Sequence, residues 1–545
     1  MIMIRKNLII FSLTVLITPI YAQQNLDSRA KAYIDSALKK YDDTVPGAVV
    51  HVIHKGSLVY QKAFGLADLE LGVKLKENSV FEAASVSKQF TATAVLMLVE
   101  QGKIKIEDDI RKYIPELPDY GKPITIAQLL THTSGLRDWR NVGYVTDLVN
   151  QSFVYGDGDA LNVIFRQKGL NFPSGTKYSY SNSNYDLLAL LVERVSGEKF
   201  IDFSTRTMLK PLGMTNSTWR TDYRKVIKNR AKSYMGVKGN FITQMPLDNT
   251  NGAAGLLTTT EDLQKWIAWW KDGKFGPTLA KLRLQHYVLT NGTETSYALG
   301  GVHFYSKPGS KLITHGGLLA GYRAITSYYP DIDLSVTFLS NTRELIIPKV
   351  ADQLLEIYSG VKPLKTDSTK LKYVKLSPQE VQQKVGLYKN TLGVRTVELV
   401  IVDGKLRVKN GGELKALNKN TLVTGDDKYQ FQGNNLLLPD EEALVTYKKV
   451  ETLTPDSTLL NKLTGLYYSA DADTKITLTV YKNSLRYTRN GYKYIYLRPS
   501  YKDGNIVGFS GLDNGLMVMF DFDTTRGDLQ VSMPRALGIA FVKNK

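Results

Sequence analysis

The chain has 545 residues, 43% of them hydrophobic, and a formal net charge of +18. That length exceeds a single core, so two or three domains are expected. The absence of cysteine excludes disulfides, cysteine nucleophiles, thiolate metal sites and an N-terminal lipidated cysteine; the positive charge lacks runs and reads as a solvated, loosely polyanion-attracting surface, not a nucleic-acid footprint.

Residues 1–22 carry a basic start (Arg5, Lys6), an apolar run from Leu8 to Ile20 and a small residue, Ala22, ahead of Gln23. This is the pattern of a cleaved secretory signal, with a retained anchor as the alternative. The run falls short of the ~20 apolar residues that span a bilayer, and no later segment reaches that length. Val45–Gly65 gives two β-rich runs broken at Lys55-Gly56, a hairpin. A helix is expected from Ser85 to Gln101, because Phe90, Ala94, Val95, Leu98 and Val99 repeat at helical spacing before Gly102. Thr125-Ile-Ala-Gln128 has the form of a capping box that opens a short helix, within the run leading to Leu129-Leu-Thr-His-Thr-Ser-Gly-Leu136. Strands resume from Tyr297 (YALGGVHFY, KLITH, RAITSYY, LSVTFLS), and a helix follows from Pro348 to Tyr358. Strands at both ends with helices between them predict one α+β domain over 23–360, its N-terminal hairpin joining a sheet of later strands. A polar connector, 361–378, comes next.

The remainder repeats. Gly386-Leu-Tyr388 returns as Gly465-Leu-Tyr467, Leu406 as Leu485 and Gly412 as Gly491, each displaced by 79 positions. Ile476, Leu478 and Val480 alternate with Thr477 and Thr479, the period of a half-buried strand. Two small antiparallel β-barrels are expected, over 379–452 and 453–545, each curled to protect its edges.

Three motifs carry chemistry. Ser85-Val-Ser-Lys88 puts a hydroxyl and an amine one turn apart, the pairing that activates a serine nucleophile. Ser-x-x-Lys also occurs at Ser28, Ser36, Ser174, Ser196 and Ser359, and the alternative reading is an N-cap serine with a surface lysine. Tyr180-Ser-Asn182 offers a phenol that serves as a general base beside ammonium groups, and an amide for a substrate amide; the alternative is a tyrosine-rich turn capping a helix from Asp186 to Val195. His315-Gly-Gly317 follows an apolar strand, where glycines admit close backbone approach and the following amide can supply an oxyanion donor; the alternative is an edge-strand turn with a hydrogen-bonded histidine. No Gly-x-Ser-x-Gly elbow, phosphate loop or His-Glu-x-x-His competes, and the other histidines are expected to be structural.

Together, in this order, the motifs resemble the serine β-lactamase and penicillin-binding-protein-like hydrolases, in the branch of class C β-lactamases, D-stereospecific peptidases and esterases. The resemblance spans Val45 to Asn341 and includes Leu129–Leu136, Gly255–Leu263 and Gly321-Tyr-Arg-Ala324. It implies a DD-peptidase-like antiparallel sheet with a helical subdomain, Ser85 as acylated nucleophile, Lys88 as its proton partner and Tyr180 as acid/base. It further implies Asn182, His315 and Gly317 at the substrate, and an oxyanion hole from the amides of Ser85 and Leu318. Here Tyr-Ser-Asn and His-Gly-Gly replace Ser-Asp-Asn and Lys-Thr-Gly. Histidine is largely neutral near pH 7 and lacks lysine's permanent cation for a β-lactam carboxylate, with Arg323 as a candidate replacement charge; His-x-Gly in this place resembles D-aminopeptidases, some D-Ala-D-Ala carboxypeptidases and some esterases, and so implies D-residue peptides, amides or small esters over β-lactams. The C-terminal repeats resemble lipocalin-like barrels. The expectation is therefore an exported, periplasmic or extracellular enzyme that uses no cofactor or metal and acts on small substrates, with peptidoglycan as a further partner. A class C-like β-lactamase and a non-catalytic penicillin- or wall-binding protein are the rival readings.

Overall fold

The computed structural model describes residues 23–544, apart from 147, 149–153, 238, 344–346, 362–371, 426, 441–442, 490 and 492. The signal expected over 1–22 and most of the 361–378 connector lie outside the described residues. The chain forms two compact units, each assembled from separate stretches of sequence. One takes the chain through Gly102 with Ser196–Gln285 and a segment from Tyr297; the other takes Lys103–Val195, His286–Ser296 and the C-terminal part. Among the described residues, no helix is long and apolar enough to cross a membrane.

The first unit is built on an antiparallel sheet containing β1 (Ala48–His54), β2 (Ser57–Phe64), β3 (Val302–Lys307), β4 (Ser310–Leu319), β5 (Tyr322–Tyr329) and β6 (Leu334–Ser340), in the order β3-β4-β5-β6-β1-β2. The N-terminal hairpin thus joins strands from nearly 300 positions later, with Ala48 opposite Ser340. Lys55 and Gly56 both take positive φ (+49° and +76°), the primed turn whose twist matches its strands. β6 is buried along its whole length, as a strand covered on both faces must be. On one face Val50, Val52, Val336 and Phe338 pack with Ala30, Ile34 and Leu38 of helix 23–38 and with Val350 and Leu354 of the helix Ile347–Ser359. From the helix Thr260–Lys271, Gln264 donates to the His51 carbonyl (3.0 Å) and accepts from Ser335 Oγ (2.7 Å).

In the second unit the 79-residue repeat becomes two meanders, each opened by a short helix (Pro378–Lys384, Ser457–Leu463). The first strands, Gly386–Asn390 and Gly465–Ser469, each pair with the strand that follows and with the last strand of the same repeat. In the second repeat every strand pairs with its sequence neighbour, which closes an eight-stranded barrel. The first repeat has the same order, its third strand joined to the segment just before the fourth by the isolated Arg407–Glu413 bridge. The Gly-Leu-Tyr signature has a packing cause. A Cβ on Gly386 or Gly465 would lie 2.5 or 2.6 Å from the side chain of Lys449 or Lys543. The two buried tyrosines donate to equivalent carbonyls, Tyr388 to Lys384 (2.9 Å) and Tyr467 to Leu463 (3.0 Å).

Candidate active site

The short strand Phe81–Glu82 leads into a 3-10 turn, Ala84–Ser87, which runs into helix α1 (Lys88–Glu100). Ser85 therefore sits on the tighter turn before the α-helix, whereas periodicity alone starts the helix at Ser85; the N-cap is Ser87. Ala84 takes a left-handed φ of +48°, which costs an L-residue about 1–2 kcal/mol. The Glu82 carboxylate holds the bend by accepting the amides of Ala84 (3.2 Å) and Gly255 (2.9 Å). Arg220 pairs with Glu82 in turn and lies 3.7 Å from Asp248, all three side chains being wholly buried.

From Ser79 to Leu96 every residue except Ser85 is buried. Lys88, fully buried, directs Nζ to Ser85 Oγ (3.3 Å) and to the Ala253 carbonyl (2.9 Å). That carbonyl is fixed from both sides, by Thr91 Oγ1 donating to the Gly252 carbonyl (2.8 Å) and by Ser87 Oγ accepting from the Leu256 amide (3.1 Å). An amine held against a serine oxygen in this way is placed to exchange a proton with it.

β4 runs against the same turn. A Cβ at Gly317 would lie 2.2 Å from the Ala83 carbonyl oxygen, so only glycine permits this approach, whereas at Gly316 the nearest atom is 3.9 Å away. The next residue, Leu318, is 39% exposed and pairs with Arg323 of β5. His315 lies in the interior: Nδ1 donates to the Gly316 carbonyl (2.6 Å), and Nε2 accepts from Tyr297 Oη (2.9 Å). Burial, followed by the neighbouring His303 ring and the Lys88 charge, holds its pKa well below the ordinary imidazole value, so the ring is neutral.

In the second unit Thr125 and Gln128 form the expected capping box, and the helix Ile126–Leu130 delivers Thr131-His-Thr-Ser134. His132, buried with φ +57°, accepts from the Ser181 amide through Nδ1 (3.1 Å) and from the Ser179 amide through its carbonyl (2.9 Å). It thereby grips the backbone on both sides of Tyr180, and the two rings lie 4.2 Å apart. Asn182 opens the helix Asn182–Ser196, four residues earlier than periodicity places it. Its backbone and side-chain N–H groups both donate to Asp138 Oδ2, at 2.7 and 2.8 Å, which turns the side-chain carbonyl away from Asp138. Gly135 is obligatory here: a Cβ would lie 2.1 Å from the Phe172 carbonyl oxygen.

The Beta-lactamase family profile matches residues 33–355, more than half of the chain. The chain belongs to the Beta-lactamase family. It is 27% identical over 349 residues to Protein flp of Staphylococcus aureus (strain MRSA252), covering 61% of this chain. The chain spans 66% of that relative's length, just under two thirds. The structure of the octameric penicillin-binding protein homologue from Pyrococcus abyssi superposes with a TM-score of 0.56 at 18% identity, covering 95% of this chain and 99% of that one. That of D-amino acid amidase from Ochrobactrum anthropi superposes with a TM-score of 0.52 at 21% identity, covering 61% and 98%. The expected fold class, an α+β β-lactamase-like domain followed by small barrels, is borne out.

The family motifs account for Ser85, Lys88, Gly317, Tyr180 and Asn182, but not for what orients them. Glu82 and Arg220 stand 138 positions apart, and no local pattern joins them. His132 and Asp138 lie in or just after the Leu129–Leu136 motif, and that proximity was the available signal. Among the described residues, no group of His, Cys, Asp and Glu could hold a metal ion.

Proposed function

We propose that the protein is an exported serine hydrolase that forms an acyl-enzyme on Ser85 and acts on small peptides or amides containing a D-residue, or on small esters. The observation that carries the reading is the buried Lys88 amine, 3.3 Å from the one accessible side chain in its stretch, the Ser85 hydroxyl. In the first step Ser85 Oγ attacks the substrate carbonyl carbon and its proton passes to Lys88, with Tyr180 as the acid/base that later protonates the leaving nitrogen or oxygen. The backbone amides of Ser85 and Leu318 receive the oxyanion of the tetrahedral intermediate, a contribution of about 10²- to 10³-fold per donor. Asn182 contacts the substrate amide. Water then attacks the acyl-serine, and the same groups return the enzyme to its starting state.

Support for the substrate class comes from His315. A neutral, buried ring offers no permanent cation to the carboxylate of a β-lactam, so it serves β4 as a positioning residue for Gly317 and Leu318. The name of the Ochrobactrum enzyme, a D-amino acid amidase, points to the same class of amides. Wild type and Ser85→Ala are compared on D-Ala-p-nitroanilide, a D-Ala-D-Ala peptide, p-nitrophenyl esters and a chromogenic cephalosporin. Ser85-dependent turnover of the amides or esters is expected. Absence of such turnover on all four substrates overturns the hydrolase reading, and fast turnover of the cephalosporin alone replaces it with a β-lactamase.

A further inference from the structure

The second barrel reaches the candidate acid/base through one turn. Its last two strands, Leu529–Met533 and Ala536–Lys543, are joined by Pro534 and Arg535, with Met533 opposite Ala536. Proline presets φ near −65° at the first corner position, and the second then takes positive φ, the pattern of a type II turn that ordinarily carries glycine or asparagine. Here that position is Arg535, with φ +64°. A bulky residue held there is strained, and such strain persists only where the surroundings over-determine it.

The surroundings do so. The Arg535 carbonyl accepts from the Asp138 amide (2.9 Å) and from Asn171 Nδ2 (2.9 Å), while Asn171 Oδ1 accepts from the Leu537 amide (2.8 Å). The buried Arg137 guanidinium donates to the carbonyls of Leu537 and Gly538, both at 2.9 Å, and pairs with Asp471 at 2.7 Å. With the backbone clamped, the Arg535 guanidinium lies over the Tyr180 ring, 4.8 Å from its centroid. Asp138 connects the two ends: its amide holds the turn, and its carboxylate holds Asn182. Between the strands Asn435–Asp440 and Ala443–Thr452 of the first repeat the sequence has Glu441 and Glu442 where the second has Pro534 and Arg535, so the arginine is not a property of the repeat.

We propose that Arg535, supplied by the second barrel, is a positioning residue for Tyr180. Its cation holds the ring face and stabilises the negative charge that develops on the phenol oxygen during proton transfer. An arginine over an aromatic face at this distance is a cation–π pair, and the attraction grows when the ring turns anionic, so the effect belongs to the transition state and appears in kcat. The inference rests on the hydrolase reading above, with Tyr180 as its acid/base.

The test uses the full chain and a substrate whose turnover Ser85→Ala abolishes. Arg535→Met keeps the stem and removes the charge; Arg535→Lys keeps the charge. The expected result is a loss of about tenfold in kcat for Arg535→Met, with KM and Tm near wild type, and recovery of most of that loss in Arg535→Lys. Wild-type kcat in Arg535→Met overturns the inference. So does an equal fall in both variants accompanied by a lower Tm, which describes a purely structural turn. If wild type and Ser85→Ala do not differ on any substrate, the hydrolase reading fails first and this inference falls with it.

Discussion

Gly317 passes Ala83 so closely that a methyl group on it would sit 2.2 Å from the Ala83 carbonyl oxygen. β4 and the turn that carries Ser85 are therefore set at a distance that one hydrogen atom defines. Gly317→Ala is expected to push β4 off the turn, costing about 1–3 kcal/mol of stability as overpacking does. Turnover should fall with it, because Leu318 is carried on the same strand. Gly316→Ala, with its nearest neighbour at 3.9 Å, serves as the control and should retain more of both; calorimetry and turnover of the two variants check the contrast.

Lys88 is buried against Ser85 Oγ and the Ala253 carbonyl. Lys88→Met fills nearly the same space without an amine. The expected outcome is a folded protein with acylation slowed by about 10²- to 10⁴-fold, the usual range for losing a positioned proton-transfer group. Rapid-mixing measurement of acyl-enzyme formation separates this from a defect in deacylation.

Arg137 and Asp471 form an ion pair whose side chains are only 5% and 7% exposed. Removing one partner leaves the other charged and buried, which costs about 3–5 kcal/mol. Asp471→Ala should lower the Tm clearly, and added salt should change the difference little, since a buried pair is poorly screened. Arg166→Ala, which breaks an exposed pair with Asp473, should cost at most about 1 kcal/mol.

Burial, partly offset by Glu261, pushes the pKa of His51 down from 6.5 to about 4. Above pH 6.5 the ring is neutral in both folded and unfolded chains and contributes nothing to the pH dependence. Between pH 6.5 and 4 the unfolded chain binds a proton that the folded chain refuses, so this group lowers stability as pH falls, by up to about 3 kcal/mol. His315, shifted in the same direction, adds to the loss. His51→Gln should flatten the decline of Tm with acidification in that window.

Local patterns in the chain were enough for several elements. The Lys55-Gly56 hairpin, the Thr125–Gln128 capping box and the 79-residue repeat each depend on residues close together or on self-similarity, and both are visible in a string. Helix starts were less legible. The pattern of Phe90, Ala94 and Leu98 cannot register the left-handed Ala84 that converts the first turn to a 3-10 turn, because that bend is imposed by Glu82 binding the Gly255 amide from 173 positions away.

The sequence by itself determined the residue types of the proposed chemistry, a serine with a lysine one turn on, a tyrosine with its asparagine, and a strand glycine followed by a position for the proposed donor amide. Tertiary structure alone decided how they are held. It buried Lys88 under the Ala253 carbonyl, made His315 a neutral support, clamped Tyr180 with His132, and brought Arg535 to its ring from 355 positions along the chain. The physical reason is the same in each case. Motifs record which groups are present, whereas burial, charge and orientation are set by contacts between distant segments that no local period encodes.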